Sequence, residues 1–442
     1  MVKFLKKHPW LLILVLGVFL IPQSLTIQSQ LNERLILTGM AVDKGEDGYE
    51  LVAQVVVAGS SAGSVGEAGK VDYIKAKGKT ISECANEISY LIGKTAGFTH
   101  INFIIFGNEL AQTDGIVDAL DYFIRDRKVP NSALVLIAPD KAGQELVKTQ
   151  NMELDTAVGL QRLYIYKEAA MNGTMMQIQE LMNNYFNVSS SGIVSEFRVE
   201  DEEILKQSSQ QSSGGESGGS SGGSSGGTSG GASGSSGASG GGEQGSSGNQ
   251  QSEIPSKPRI EFDSAIYLLK GGKIATKITD ESQLVAVNLL NPDAEEGILS
   301  VQNINDDVYD NATVGVRVYQ KKTKFKAYYD EEDKPHFKIT VDLRKNDIQE
   351  INNEQVTRDI YSSKNVYLSD ALIEGIESYA KDGIKSLCKT ANENNVDFLN
   401  CGNKLYQKSA KKWKKFLSSI ENPDEYLNYI QFEIEVIARK DT

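Results

Sequence analysis

A long run of serine, glycine and glutamine divides this sequence into two parts. Residues 207–253 consist almost entirely of these three residue types and offer hardly any side chain that could pack in a core. As a random coil, such a run would span roughly 35–40 Å between its ends. The sequence therefore predicts a Ser/Gly-rich linker over residues 207–256 that loosely tethers the folded units on either side.

The composition outside the linker is that of a globular protein. Its 442 residues are 40% hydrophobic and 24% charged, enough for two or three domains with buried cores. We predict an N-terminal domain over residues 28–206 and a C-terminal domain over 257–442; an alternative divides the latter into a small subdomain, 257–300, and a larger one, 301–442. The net charge of −13 argues against a nucleic-acid partner, which would require a basic face.

The first residues have the pattern of a targeting segment. Three lysines in the first seven residues precede an apolar run from Trp10 to Ile21. We predict a signal or membrane anchor over residues 1–27, and we favour an uncleaved anchor because the small-residue site at Ser24–Thr26 is a poor cleavage site. The positive-inside rule then places the rest of the chain on the outer side of the membrane.

The part before the linker alternates predicted strands and helices. Apolar and β-branched runs predict strands, and a 3.6-residue apolar period predicts helices. The predicted strands are Leu35–Val42, Tyr49–Val57, Ile101–Phe106 and Ser132–Ala138, and the predicted helices are Thr80–Gly93 and Ile116–Arg125. This order indicates a mixed α/β N-terminal domain with helices packed on a sheet.

The part after the linker has a different pattern. Gly271-Gly272 separates two short apolar runs, 264–269 and 273–278, as in a β-hairpin. Apolar residues then alternate with polar ones in three further stretches, and a long amphipathic helix is predicted to begin after the N-cap Ser369. We therefore expect an antiparallel sheet covered by helices, which makes the fold class of the whole chain α+β.

The residue types needed for catalysis are scarce. The chain has three cysteines and three histidines, without the spacing of a metal site or of a nucleophile and its base. A G-x-S-x-G string lies at residues 215–219, inside the linker, where the strand and helix that flank a catalytic serine cannot form. We therefore predict no enzymatic activity, no catalytic or metal-binding residue and no cofactor.

Three positions have a local structural interpretation that we prefer to a functional one. We expect His100 to form a hydrogen bond in a turn at the entry to a strand. Asp43 is expected to start a turn, and Arg125 and Asp126 are expected to form a local ion pair. The alternatives are a ligand or acid-base group at His100 and a receptor contact at Arg125 and Asp126.

One basic cluster stands out in this acidic chain. Trp413 is flanked by four lysines, Lys411, Lys412, Lys414 and Lys415. The cluster is either a solvated helix face with a core tryptophan or a contact with a partner, through anionic lipid headgroups or an acidic protein surface. We take these five residues as the candidate partner or membrane contact.

Several short motifs occur along the chain in a characteristic order. They are Thr38-Gly39-Met40-Ala41-Val42-Asp43, then Gly97-Phe98-Thr99-His100 with its apolar strand and Gly107-Asn108-Glu109-Leu110-Ala111, then Tyr122-Phe123-Ile124-Arg125-Asp126, Ala265-Ile266-Tyr267, Asp397-Phe398-Leu399 with Gly402, and Lys412-Trp413-Lys414. In this order the chain resembles the Ger(x)C family of spore germination proteins, the C subunits of germinant receptors.

This resemblance implies a function. It implies a non-enzymatic, membrane-tethered subunit that assembles with the A and B membrane subunits of a germinant receptor, at the spore inner membrane or the cell membrane. The family's lipobox cysteine is absent, because the first cysteine is Cys84 inside a predicted helix. We therefore predict no lipidation, and the apolar segment would hold the protein instead. The alternative is an exported cell-envelope binding protein or enzyme unrelated to germination.

Overall fold

The first hairpin forms where the sequence predicts it. Strand β1 (Arg34–Gly45) pairs antiparallel with β2 (Gly48–Val57), and Gly45 lies opposite Gly48 across the turn. The computed structural model describes residues 34–57, 70–125, 129–151, 160, 174, 176–200, 259–261, 264–306, 309, 311–352 and 368–440.

This hairpin belongs to a seven-stranded sheet in the first part of the chain. The remaining strands are β3 (Lys70–Gly78), β4 (Thr95–Gly97), β5 (Phe103–Phe106), β6 (Leu134–Ile137) and β7 (Met176–Gln177). The strand order is β3-β2-β1-β5-β6-β7, with β4 also pairing with β1. Strands β1, β5 and β6 run parallel to one another, and helical segments lie in the connections between them.

Helices cover this sheet. They are α1 (Ile81–Ile92), α2 (Asn108–Thr113), α3 (Val117–Arg125), α4 (Ala142–Lys148) and α5 (Ile178–Phe186), together with 3₁₀ turns at Phe98–His100 and Thr149–Asn151. Helix α1 begins at the N-cap Thr80, whose hydroxyl accepts a hydrogen bond from the Glu83 amide at 3.2 Å. It ends at Gly93, which has the left-handed conformation of a helix C-terminus.

A three-stranded sheet joins the two parts of the chain. Its members are β8 (Ser191–Ser195), which precedes the linker, and β11 (Ile266–Lys270) and β12 (Lys273–Ile278), which follow it. The central strand β11 pairs antiparallel with both neighbours, so backbone hydrogen bonds connect the two parts. Two short strands, β9 (Arg198–Glu200) and β10 (Arg259–Glu261), pair with each other.

The last sheet has four strands in the order β13-β14-β15-β16. They are β13 (Gly297–Ile304), β14 (Ala312–Tyr329), β15 (Pro335–Asn352) and β16 (Gln431–Ala438). The first three are antiparallel and β16 is parallel to β15, because the chain passes through helices before it returns. The helices are α6 (Glu281–Leu290), α7 (Asp370–Glu393), α8 (Cys401–Lys408) and α9 (Ala410–Ser419), and a 3₁₀ segment follows at Pro423–Tyr429.

The structure confirms the α+β fold class. Helix α7 begins after Ser369, whose hydroxyl accepts from the Leu372 amide at 3.1 Å, and the predicted hairpin at Gly271-Gly272 forms with positive φ at both glycines. The alternating apolar residues of β14 and β15 are buried beneath the helices. One hydrophobic core contains residues from both sides of the linker.

The domain boundaries stay a prediction. The described residues up to Val199 and from Ile260 onward belong to one compact unit, and Glu200–Arg259 is assigned to another. The predicted linker, residues 207–256, and the predicted anchor, residues 1–27, lie outside the described residues. Within the part of the chain that the structure describes, no helix is both long and apolar enough to span a bilayer.

The shared core predicts the behaviour of a chain cut at the linker. Limited proteolysis should cleave first within residues 207–253, where the composition provides no packing side chains. The two pieces should then co-elute in size-exclusion chromatography, because β8 and β11 remain paired. They should separate only when urea is added. Pieces that separate in native buffer would contradict the shared core.

Candidate functional site

The structure buries the tryptophan of the basic cluster. Trp413 lies on α9 with 2% of its surface exposed. Its ring packs edge-on against Tyr426, with ring centroids 5.1 Å apart, and tilted against Phe416 at 5.5 Å. Trp413 is therefore a core residue in this structure, and the candidate contact is reduced to the lysines around it.

The four lysines divide into two pairs. Lys412 and Lys415 bind the two carboxylate oxygens of Asp333, at 2.7 and 2.9 Å, and Asp333 lies in the turn between β14 and β15. Hydrogen bonds from Lys412 first and then from Lys415 lower the pKa of Asp333 to about 2. Lys411 and Lys414 are exposed and form no ion pair with any described residue. The first pair fastens the hairpin to α9, and the second pair remains accessible to a partner.

A buried carboxylate connects the two parts of the chain. Asp397 is 2% exposed and accepts four hydrogen bonds. The amides of Cys401 and Gly402, at the start of α8, donate at 2.7 and 2.8 Å, as in a helix N-cap. The hydroxyls of Ser189 and Tyr426 donate at 2.6 and 2.7 Å. Ser189 precedes the linker and Asp397 follows it, so this carboxylate holds both parts together.

The position of Tyr426 explains why a glycine, Gly402, follows Asp397 in this motif. A side chain at Gly402 would place its Cβ 2.8 Å from the Tyr426 hydroxyl, too close for any real contact. Glycine therefore lets the Tyr426 ring approach α8 and reach Asp397. Burial, with the adjacent carboxylate as the next cause, raises the pKa of Tyr426, so the phenol remains a donor at neutral pH.

Asparagine side chains form further hydrogen bonds at this junction. Asn400 has a positive φ of 55° and accepts a hydrogen bond from Asn187 at 2.9 Å, while its own amide donates to Asn184 at 3.0 Å. Beside it lies an open cavity of about 210 Å³, lined by both parts of the chain. Lys404 borders the cavity, and burial lowers the pKa of its ammonium group.

A second polar junction lies on the three-stranded sheet. Glu196 is fully buried and accepts a hydrogen bond from the Tyr267 hydroxyl at 2.5 Å. It also forms ion pairs with Lys277 and, at 3.0 Å, with Arg198. Asn108 donates to the same Tyr267 hydroxyl at 3.3 Å. Asn108 and Tyr267 come from two separate family-like motifs, and the fold brings these motifs into contact.

Asp43 differs from its predicted role. It lies inside β1 and does not start the hairpin turn. Its carboxylate accepts hydrogen bonds from the amides of Ala142 and Gly143, both at 2.8 Å, and so caps α4. Burial raises the pKa of this carboxyl group. A Cβ at Gly107 would lie 2.1 Å from the carboxylate, so the glycine of the G-N-E-L-A motif leaves room for Asp43.

The other singled-out residues show no catalytic arrangement. His100 is exposed at the end of a 3₁₀ turn and its ring has no hydrogen bond to a described residue, so the predicted turn hydrogen bond is absent there. Arg125 pairs with Asp121 at 2.5 Å on α3, while Asp126, its predicted partner, lies outside the described residues. Among the residues that the structure describes, no three potential ligands come close enough to hold a metal ion.

The cysteines are unsuited to nucleophilic chemistry. All three are buried and unpaired. Burial raises the pKa of Cys84 to about 11 and that of Cys388 to about 12, so these thiols are protonated at neutral pH. Since the thiolate is the reactive form, they act as small apolar core residues.

Comparison with known protein families gives one match on each side of the linker. The family model described as "Spore germination protein N-terminal domain" matches residues 28–199, and "Spore germination B3/ GerAC like, C-terminal" matches residues 264–439. The chain belongs to the Ger(x)C family of spore germination proteins.

Individual relatives match more distantly. Putative spore germination protein YfkR of Bacillus subtilis (strain 168) is 26% identical over 121 residues, covering 26% of this chain and 31% of the relative. Spore germination protein KC of the same organism is 24% identical over 125 residues, covering 27% and 31%. The matches thus span about a third of the length of these curated relatives. The crystal structure of the GerBC protein aligns over 91% of this chain and 96% of that chain, with a TM-score of 0.44 and 14% identity.

The Asp397 junction gives a stability prediction. Asp397→Asn keeps the side-chain shape but replaces a charged acceptor, so the free energy of unfolding should fall by about 1.5–3 kcal/mol. Urea unfolding of both parts together should report the loss. Asp47→Asn, at an exposed turn position, is the matched control and should change stability by less than about 0.5 kcal/mol. Equal stability of the two variants would show that the junction is not required.

A buried lysine caps α6 beside the cavity. Lys321 is 8% exposed, and its ammonium group donates to the backbone oxygens of Leu289 and Asn291, at 3.1 and 2.5 Å. A cation at a helix C-terminus satisfies carbonyl groups that have no helical partner. Burial nevertheless lowers the pKa of Lys321 to about 8.

This lysine predicts a pH dependence of stability. Between pH 8 and the ordinary lysine pKa of 10.5, the unfolded chain holds a proton that the folded chain has released. Stability rises with pH wherever the unfolded state binds more protons. The wild type should therefore gain roughly 2–3 kcal/mol over Lys321→Met between pH 7.5 and pH 10, measured by urea unfolding. A constant difference between the two proteins would show that the carbonyl acceptors keep the ammonium charged.

Proposed function

We propose that this chain is the non-enzymatic, membrane-tethered C subunit of a spore germinant receptor. The observation that carries the proposal is the match of two spore germination family models, one on each side of the linker and in the family's order. In this role the chain assembles with the A and B membrane subunits and faces outward from the spore inner membrane or the cell membrane. The apolar run at residues 10–21 serves as its anchor.

The site geometry supports a structural role over a chemical one. The buried polar groups at Asp397 and Glu196 are occupied by contacts between the two parts of the chain. Burial raises the pKa of the Cys84 and Cys388 thiols to about 11 and about 12, so both are protonated at neutral pH. These groups therefore maintain a rigid body that can present surfaces to other subunits.

The accessible lysines of α9 form one such surface. Lys411 and Lys414 are exposed, and their neighbours Lys412 and Lys415 are held by Asp333. Because this anchoring fixes α9 against the hairpin, the exposed pair is presented on an ordered helix. We propose that Lys411 and Lys414 contact anionic lipid headgroups or an acidic surface of a neighbouring subunit.

Co-purification tests this proposal. A tagged chain should retain the A and B subunits when it is isolated from detergent-solubilised spores. Lys411→Glu/Lys414→Glu should lower that retention by roughly tenfold, since reversing two contact charges costs of order 1–2 kcal/mol. The same strain should lose optical density more slowly after nutrients are added, which measures germination.

Two control variants distinguish the loss of a partner contact from the loss of folded protein. Lys79→Glu/Lys94→Glu reverses two exposed lysines of the first part of the chain and should leave retention unchanged. Trp413→Ala should instead destabilise the fold by roughly 3–5 kcal/mol and lower the amount of protein. Isolation of the wild-type chain without membrane subunits would contradict the proposed assembly.

A further inference from the structure

An open groove runs between α7 and β16, away from the Asp397 junction and from α9. It has a volume of about 660 Å³. Phe432 and Ile434 of β16 and Cys388 of α7 supply apolar side chains to its lining. Outside the groove lining, α7 and β16 are also linked directly, because the Glu377 carboxylate of α7 accepts a hydrogen bond from the Ala438 amide of β16 at 2.9 Å.

Along this groove one edge of β16 is free of any described strand. β16 pairs only with β15 among the described strands. The Arg439 amide donates to Leu343 at the end of β15, whereas the Ala438 amide points to Glu377 on the other side. Backbone groups of successive strand residues alternate in direction, so those of Phe432, Ile434 and Val436 point away from β15, as does Ala438. No described backbone group pairs with these three residues on that side.

A row of lysines borders the same groove. Lys381, Lys385 and Lys389 are exposed and occur at every fourth residue of α7, so they lie on one face of the helix. Lys381 has no ion pair with a described residue, Lys385 pairs with the exposed Asp382 at 3.3 Å, and Lys389 approaches Glu393 only to 3.8 Å. Such exposed pairs are weak and exchange readily for another carboxylate.

The spacing of these lysines along α7 matches the spacing of alternate side chains along a β-strand. Four residues of helix rise about 6 Å, and alternate side chains of a strand are about 6.6 Å apart. Helix α7 runs antiparallel to β16, since Glu377 meets Ala438 while Cys388 lies near Phe432. Three acidic side chains at alternate positions of an added strand would therefore meet the three lysines one to one.

We propose that the free edge of β16 binds an extended, acidic segment of a partner protein. The segment adds a fifth strand to the sheet and bonds to the backbone of Phe432, Ile434 and Val436. Every second side chain is a carboxylate that meets Lys381, Lys385 and Lys389. Backbone pairing supplies affinity, and the lysine row supplies specificity for acidic sequences. The inference goes beyond the proposed receptor role and does not depend on it.

The test uses purified full-length chain and a capped fluorescent peptide in which Glu and Thr alternate. Fluorescence anisotropy should show saturable binding. Lys381→Glu/Lys385→Glu should weaken the binding by about tenfold or more. The matched control is Lys322→Glu/Lys324→Glu, which reverses two exposed lysines on the outer face of β14 and changes the net charge equally. This control should bind the peptide as the wild type does.

A second peptide separates strand addition from simple charge attraction. Methylating the backbone nitrogens of its central glutamates and threonines keeps every carboxylate but removes the amide donors needed for pairing in either strand direction. This peptide should bind about tenfold more weakly, since it loses backbone hydrogen bonds worth about 1 kcal/mol each. Absence of binding by the first peptide, equal binding of the two peptides, or an equal effect of the control variant would each overturn the proposal.

Discussion

The buried carboxylate of Asp397 is the interaction on which the joining of the two parts depends. Burying a charge is costly. No described lysine or arginine forms an ion pair with Asp397, and four neutral donors bond to its carboxylate. Two are amides at the start of α8, one belongs to Tyr426 and one to Ser189. Since Ser189 lies on the other side of the linker, the carboxylate is fully satisfied only when both parts are folded together. The site therefore couples their folding.

Local patterns predicted the elements well because each depends on neighbours in sequence. The alternating residues of β14, the helix cap at Ser369 and the Gly271-Gly272 turn all formed as expected. The long-range contacts of the candidate site do not have this property. The Asp397 motif gives no sign that its partner Ser189 lies 208 residues earlier. Asp43 was expected to form a local turn because nothing in its surroundings indicates a helix start 99 residues away.

The lysines around Trp413 also show what sequence alone does not predict, in this case which charges remain accessible. Along the sequence, Lys411, Lys412, Lys414 and Lys415 form one uniform basic run. In the fold, Asp333 takes two of them, and it lies 82 residues before Lys415. Charge density read from sequence therefore overestimates the basic surface that a partner can reach. The tryptophan within the run is similarly ambiguous until Tyr426, in a later segment, is seen to cover its ring.

The arrangement of contacts also explains how a long serine and glycine insert is tolerated. The β8–β11 pairing, the Asp397 site and the Glu196 site are all formed by residues outside the insert. Chain continuity contributes only the entropy of closing the loop, which changes by about 0.6 kcal/mol for each doubling of length. A single buried carboxylate that loses its donors costs more than such a change in loop length. Stability therefore depends more on the junction residues than on the length of the insert.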